Sequence, residues 1–184
     1  MKKKNRCVRY VILILVLFMT MINLAQLALR SVFIVNYGNE VQNAAAEYEV
    51  TPFLILAVIN AESGFRKDAV SRQGASGLMQ LTQETYQFVR GKTEGKEALA
   101  DDIFDPRTNV LFGTFYLSYL LKEFETLPEA LAAYNAGPSK VKSWLADSAY
   151  CEDGKTLKRI PYAETEAYIK KVLFYLKAYE MIYS

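Results

Sequence analysis

The 184-residue chain has no histidine. Triads with an imidazole base and metal sites built on imidazole are excluded by that absence. Only two cysteines occur, Cys7 and Cys151, and neither sits in a spacing that resembles a metal site. No metal or cofactor is expected. Acid is missing from the first 30 residues, which hold six of the 22 bases: Lys2, Lys3, Lys4, Arg6, Arg9 and Arg30. The rest of the chain is left with 16 bases against 20 acids, so the overall +2 hides a mildly acidic body. Such a body excludes nucleic acid as partner, because phosphates require a basic face. Proline is scarce too, and each of the five stands where a helical pattern begins.

What the chain does have near its start is a run of 20 uncharged residues, 10–29 (YVILILVLFMTMINLAQLAL). That length spans a bilayer core as a helix. A cleaved signal peptide is the rival reading. Against it, the run is long, Ala25 and Ala28 stand three apart rather than two, and no cysteine follows for lipidation. An uncleaved signal anchor is expected, with the membrane as partner through 10–29. Five bases before the run against Arg30 after it place the N-terminus in the cytoplasm and the body outside, as a single-pass protein. Cys7 and Cys151 then lie on opposite sides of the membrane and cannot pair. The expected order is a basic segment 1–9, anchor 10–29, linker 30–38 and body 39–184. Residues 31–38 (SVFIVNYG) form the tether proper, with a reach of at most about 28 Å.

Beyond it the patterns are helical. Asn39 is expected to cap a helix through Tyr48. Thr51-Pro52, Thr82 and Asp105-Pro106 are helix starts, and Pro128, Pro138 and Pro161 begin three more. Val110, Leu111, Phe115, Leu117, Tyr119, Leu120 and Leu121 are expected to supply core from the helix after Pro106. Residues 91–102 read as a polar loop, and Asp153-Gly154 as the turn of a small hairpin. The fold class is all-α, with about seven short helices in the body and at most one hairpin.

One acid stands out. Residues 53–59 are apolar on every face, so their helix is buried all round. Glu62 follows in its last turn, where unpaired carbonyls gather negative charge. Apolar surroundings and that helix end both disfavour the carboxylate, which raises its pKa and suits it to general acid work. The plain alternative is a glutamate that points to solvent. Gly64, Gly74 and Gly77 allow backbone to approach the acid, and serve equally well as ordinary turn residues.

Four ordered blocks carry a resemblance: Ala61-Glu62-Ser63-Gly64-Phe65; Ser71 with Gly74-Ala75 and Gly77-Leu78-Met79-Gln80-Leu81; Ala132 to Pro138 (AAYNAGP); and Ile160-Pro161-Tyr162 with Glu164-Thr165 and Tyr168. Together they resemble the soluble-lytic-transglycosylase-like family, peptidoglycan-cleaving enzymes with a lysozyme-like helical fold. The resemblance covers residues 41–176 or so. It implies glycan strands of peptidoglycan as partner and Glu62 as the catalytic acid. Glu62 would protonate the bond between N-acetylmuramic acid and N-acetylglucosamine, then take the proton of the muramic carbon-6 hydroxyl to leave a 1,6-anhydro end. It also implies substrate contacts at Ser71, Met79, Gln80, Tyr134, Asn135 and Glu164, with the Tyr134 hydroxyl orienting Glu62 or the sugar. Tyr168, Phe174, Tyr175 and Tyr179 read as core packing. Two positions depart from the family pattern: Gln83 stands where proline is common, and Glu166 where arginine is. A lysozyme-type hydrolase and a noncatalytic glycan-binding scaffold are the alternative functions.

Overall fold

A computed structural model describes residues 2–93 and 102–184. Eight helices lie among them: α1 (Lys2–Val32), α2 (Gly38–Tyr48), α3 (Pro52–Glu62), α4 (Gln83–Lys92), α5 (Pro106–Glu123), α6 (Leu127–Ala136), α7 (Pro138–Leu145) and α8 (Ala163–Tyr183). No strand occurs among the described residues. Isolated antiparallel bridges join Val70 to Ser76, Ser76 to Leu81 and Cys151 to Leu157. The loop around Asp153-Gly154 thus closes on one bridge and is not a hairpin of strands. Asp153 Oδ1 holds it by accepting from the Lys155 and Thr156 amides, each at 2.8 Å.

The helix starts follow local chemistry. Thr51 and Asp105 each accept an amide of the first turn, from Leu54 at 3.2 Å and from Thr108 at 2.8 Å, with a proline next in line. Thr82 caps α4 in the same way. Two starts differ from expectation. The first is α2, which begins at Gly38 behind a left-handed Tyr37, so Asn39 lies inside the helix and caps nothing. The second is α8, which begins at Ala163 with Tyr162 as its cap residue, two residues beyond Pro161. The loop expected from residue 91 starts only after Lys92, and its residues 94–101 lie outside the described set.

The core is built around α3. Its residues Leu54, Ile55, Leu56, Ala57, Val58, Ile59 and Ala61 are all buried. This helix packs mainly on α8, while α2 packs on α5, and α6 joins α5, α7 and α8. A fully buried aliphatic side chain contributes roughly 1.5–3 kcal/mol, so α3 is the best-anchored element and holds its C-terminal residue firmly. From α5, Val110, Leu117 and Leu120 are buried as expected; Tyr119, expected in the core, is 38% exposed.

The stretch before the body is also different from a free tether. Ser31 and Val32 complete α1, and Phe33 is buried against Phe174, Tyr175 and Tyr179 of α8. Ile12–Val32 is long and apolar enough to cross a membrane.

Candidate active site

Glu62 closes α3, and the chain then turns sharply through Gly64 and Phe65, both left-handed at φ 59° and 64°. Ser63, directly after the acid, is buried and donates its hydroxyl to the Leu78 carbonyl at 2.8 Å. That bond draws the 77–80 loop against the end of α3. Two other helices hold the same loop. Asn109 of α5, fully buried, accepts the Met79 amide at 2.7 Å and donates to the Ser76 and Ile103 carbonyls at 3.1 and 2.7 Å. From α6, the Tyr134 hydroxyl donates to the Met79 carbonyl at 2.9 Å. Gln80 is left-handed at φ 49°, a conformation costing about 1–2 kcal/mol for a residue with a Cβ. Its own side chain secures it by donating to the Ala69 and Gly77 carbonyls at 3.0 and 2.9 Å.

The carboxyl itself faces α6 and α8. Burial lifts the Glu62 pKa from its ordinary 4.5 to about 7, against the pull of the Tyr168 hydroxyl and the Lys171 ammonium, which favour the ionised form. Tyr168 is buried; its hydroxyl makes no hydrogen bond of ordinary geometry, yet lies against the Glu62 carboxyl. Lys171 donates to the Ala61 carbonyl at 2.6 Å, which answers one unpaired carbonyl of the α3 terminus beside the acid. Burial, then the charge of Glu62, pushes the Tyr134 and Tyr168 hydroxyls well above their usual range, so both stay protonated donors. Among the described residues, no second carboxylate is among the groups that act on Glu62.

These shifts carry a stability signature. A carboxyl whose pKa is higher folded than unfolded holds more protons in the folded chain between the two values. Glu62 therefore weakens the fold as pH rises from about 4.5 to about 7, and the loss persists above that. The urea midpoint of the Glu62→Gln variant, relative to wild type, is expected to be higher at about pH 8 than at about pH 4.5. Equal differences at both pH values would show that Glu62 is not shifted.

The other expected site residues fall into two groups. Tyr134 lies where the Glu62 charge acts on it and binds the Met79 carbonyl; the Met79 side chain is fully buried, packs on Gly113 and meets Thr114, so only the Met79 backbone is turned to Tyr134, and Gln80 is tied to the Ala69 and Gly77 carbonyls. Asn135 is exposed and accepts the Thr165 hydroxyl at 2.8 Å, which ties the end of α6 to the first turn of α8. Ser71 shapes the loop, accepting the Ala75 amide at 3.1 Å. Glu164 is exposed in the first turn of α8. Of the departures, Gln83 is simply the first residue of α4, and Glu166 pairs with Lys170 at 2.5 Å along the helix.

Sequence reasoning misses Asn109 and Lys171, and places Tyr168 in the core alone; what signals Tyr168 and Lys171 is their i, i+3 spacing on one face of α8. It also misses a row of rings leading outward from the site. Tyr134 lies 5.6 Å from Tyr116, which stacks on Tyr119 at 6.5 Å, and Phe88 sits 5.5 Å from Tyr119.

Residues 39–156 match the family model described as the Transglycosylase SLT domain. The soluble lytic murein transglycosylase of Escherichia coli (strain K12) is 35% identical over 130 residues, covering 69% of this chain and 20% of that protein. Membrane-bound lytic murein transglycosylase C of Yersinia pestis (strain Pestoides F) is 44% identical over 82 residues, 44% of this chain and 23% of the relative. Among solved structures, the 70 kDa soluble lytic transglycosylase of Escherichia coli superposes with a TM-score of 0.72 at 30% identity, over 83% of this chain and 25% of that one. The chain spans about a fifth to a quarter of the length of these proteins.

Proposed function

The chain belongs to the Transglycosylase SLT domain family, and on that basis we propose that it is a membrane-anchored lytic transglycosylase acting on peptidoglycan. One observation carries the reading: among the described residues a single carboxyl, Glu62, has its pKa lifted to about 7, beside two tyrosines and a lysine. An ordinary retaining glycosidase needs a second carboxylate about 5 Å away as nucleophile. A site with one acid suits chemistry in which the substrate brings the nucleophile.

In the proposed cycle, protonated Glu62 gives its proton to the glycosidic oxygen between N-acetylmuramic acid and N-acetylglucosamine as that bond breaks. The resulting carboxylate removes the proton of the muramic carbon-6 hydroxyl while its oxygen bonds to the anomeric carbon. Glu62 ends protonated again, and the muramic end is a 1,6-anhydro ring. Lys171 and Tyr168 stabilise the intermediate carboxylate. Tyr134, Gln80, the Met79 backbone, Ser71, Asn135 and Glu164 form or brace the groove for the glycan. Residues 10–29 cross the cytoplasmic membrane once, with 1–9 in the cytoplasm, 30–38 as the junction and 39–184 as the catalytic body outside.

The test is mass spectrometry of purified peptidoglycan digested by the full-length chain. Anhydromuramic ends are expected. Reducing ends alone would assign water as the nucleophile and overturn the transglycosylase reading, and an undigested wall would leave only a glycan-binding role.

A further inference from the structure

The junction between α1 and the body is a built interface. Phe33 sits among Phe174, Tyr175 and Tyr179 at centroid distances of 6.2, 6.3 and 5.9 Å. Tyr183 donates its hydroxyl to the Phe33 carbonyl at 2.7 Å, and Tyr179 donates to the Ile34 carbonyl at 3.2 Å. The Arg30 guanidinium lies over the Tyr183 ring at 5.6 Å. Going up the chain from Arg30 to Ile34, the partners on α8 move from Tyr183 back to Tyr179 and Phe174. The C-terminal end of α8 therefore points towards α1 and the membrane that α1 crosses on the proposed reading.

That end is unusually apolar where it meets solvent. Met181 is 71% and Phe174 61% exposed; they stand seven residues apart, on one face of α8 with Lys177 and Ala178 between them. Val32, Ile34 and Val35, in the junction that packs on α8, are exposed as well. Soluble surfaces seldom cluster such side chains. A lysine between apolar residues, with tyrosine and arginine alongside, is the make-up of segments that lie at the headgroup level. Phe174 of this face lies beside Phe33, which directly follows α1, and lipid covers the apolar surface of α1 in an inserted protein.

We propose that the C-terminal end of α8, with Met181 foremost and joined by residues 32–35, is a second membrane-contact surface seated in the lipid headgroup layer beside α1. Two contacts fix a body where one tether would let it swing. The cleft is consequently held at a set height and orientation over the membrane. The coupling reaches the site, since Tyr179 also accepts the Asn60 amide at 2.9 Å, two residues before Glu62. Phe174, about 10 Å further along α8 at 1.5 Å per residue, marks the outer edge of the contact. The proposal rests on α1 being inserted in the membrane and is independent of the reaction.

The experiment places single tryptophans in the full-length chain, reconstituted in phosphatidylcholine–phosphatidylglycerol vesicles with bromine-labelled acyl chains. The only native tryptophan, Trp144, is replaced by Phe, and the reporters are Met181→Trp, Val35→Trp and, as the inserted reference, Leu24→Trp. Circular dichroism confirms that each variant is folded. Lipid quenching at Met181→Trp and Val35→Trp is expected to reach at least about half of that at Leu24→Trp. Quenching by aqueous acrylamide with none by lipid, while Leu24→Trp is lipid-quenched, would overturn the proposal. Shielding from both quenchers would put a protein partner there and overturn it too. Absence of lipid quenching at Leu24→Trp would remove the anchor, and the proposal with it.

Discussion

Replacing Glu62 by Gln is expected to lower the rate of muropeptide release by about 10²–10⁴-fold, the usual worth of a positioned general acid–base. The amide keeps the size and the packing of the carboxyl but cannot give up a proton at neutral pH. Because the pocket disfavours a charge at this position, the neutral side chain should leave the helices intact and the thermal midpoint at pH 7 equal or higher. The two readings together isolate chemistry from folding. Loss of release with an unchanged midpoint supports Glu62 as the acid; full activity of the Gln variant would assign cleavage to another group. The same measurement bears on the scaffold alternative, in which neither the wild type nor the Gln variant releases muropeptides.

Much of the architecture is legible in local chemistry. The caps at Thr51 and Asp105 sit beside their prolines, and the uniform apolarity of 53–59 demands an all-round burial that α3 shows from Leu54 to Ile59, with Phe53 half-buried. What local chemistry cannot give is the identity of distant partners. Tyr134 is 55 residues from the carbonyl it binds, and Lys171 is 110 from Ala61. A tyrosine in an apolar helix end signals only that its hydroxyl needs some acceptor. The family resemblance offers Glu62 or the sugar to Tyr134; in the fold its hydroxyl donates to the Met79 carbonyl within reach of the Glu62 charge, and Tyr168 also lies against the acid. Asn109 escapes notice for a related reason: an asparagine early in a helix reads as solvent-facing, and only the tertiary fold supplies the three backbone groups that justify burying it. Helix α1 runs past the expected end at Leu29 because apolar character continues there with no helix-stop residue before Gly38.

The largest stability effect is expected at Gly77. Its φ of 81° already costs a residue with a Cβ, but so does Gly74, also at φ 81°. The difference is space. A Cβ at Gly74 meets nothing within 4 Å; at Gly77 it would stand 2.2 Å from Asn109 Nδ2, 2.7 Å from Asn109 Cγ and 2.9 Å from the Ile103 carbonyl oxygen. None of those atoms can step aside cheaply, because the Asn109 amide is committed to Ser76, Ile103 and Met79. Displacing it strands buried backbone groups, each worth roughly 1–3 kcal/mol when left unpaired. Gly74→Ala is accordingly expected to cost about 1–2 kcal/mol, the backbone term alone. Gly77→Ala should cost about 3–8 kcal/mol, from that term plus two lost partners. Urea unfolding of the two variants gives the comparison directly, and equal midpoints would mean that Asn109 does not clamp the loop. Activity separates them further. The clamp sets where the Met79 carbonyl holds Tyr134, whose hydroxyl lies within reach of the Glu62 charge, and a misplacement of about 1 Å can cost on the order of 10²-fold in rate. Gly77→Ala should therefore lose activity even at temperatures where it remains folded, while Gly74→Ala keeps it.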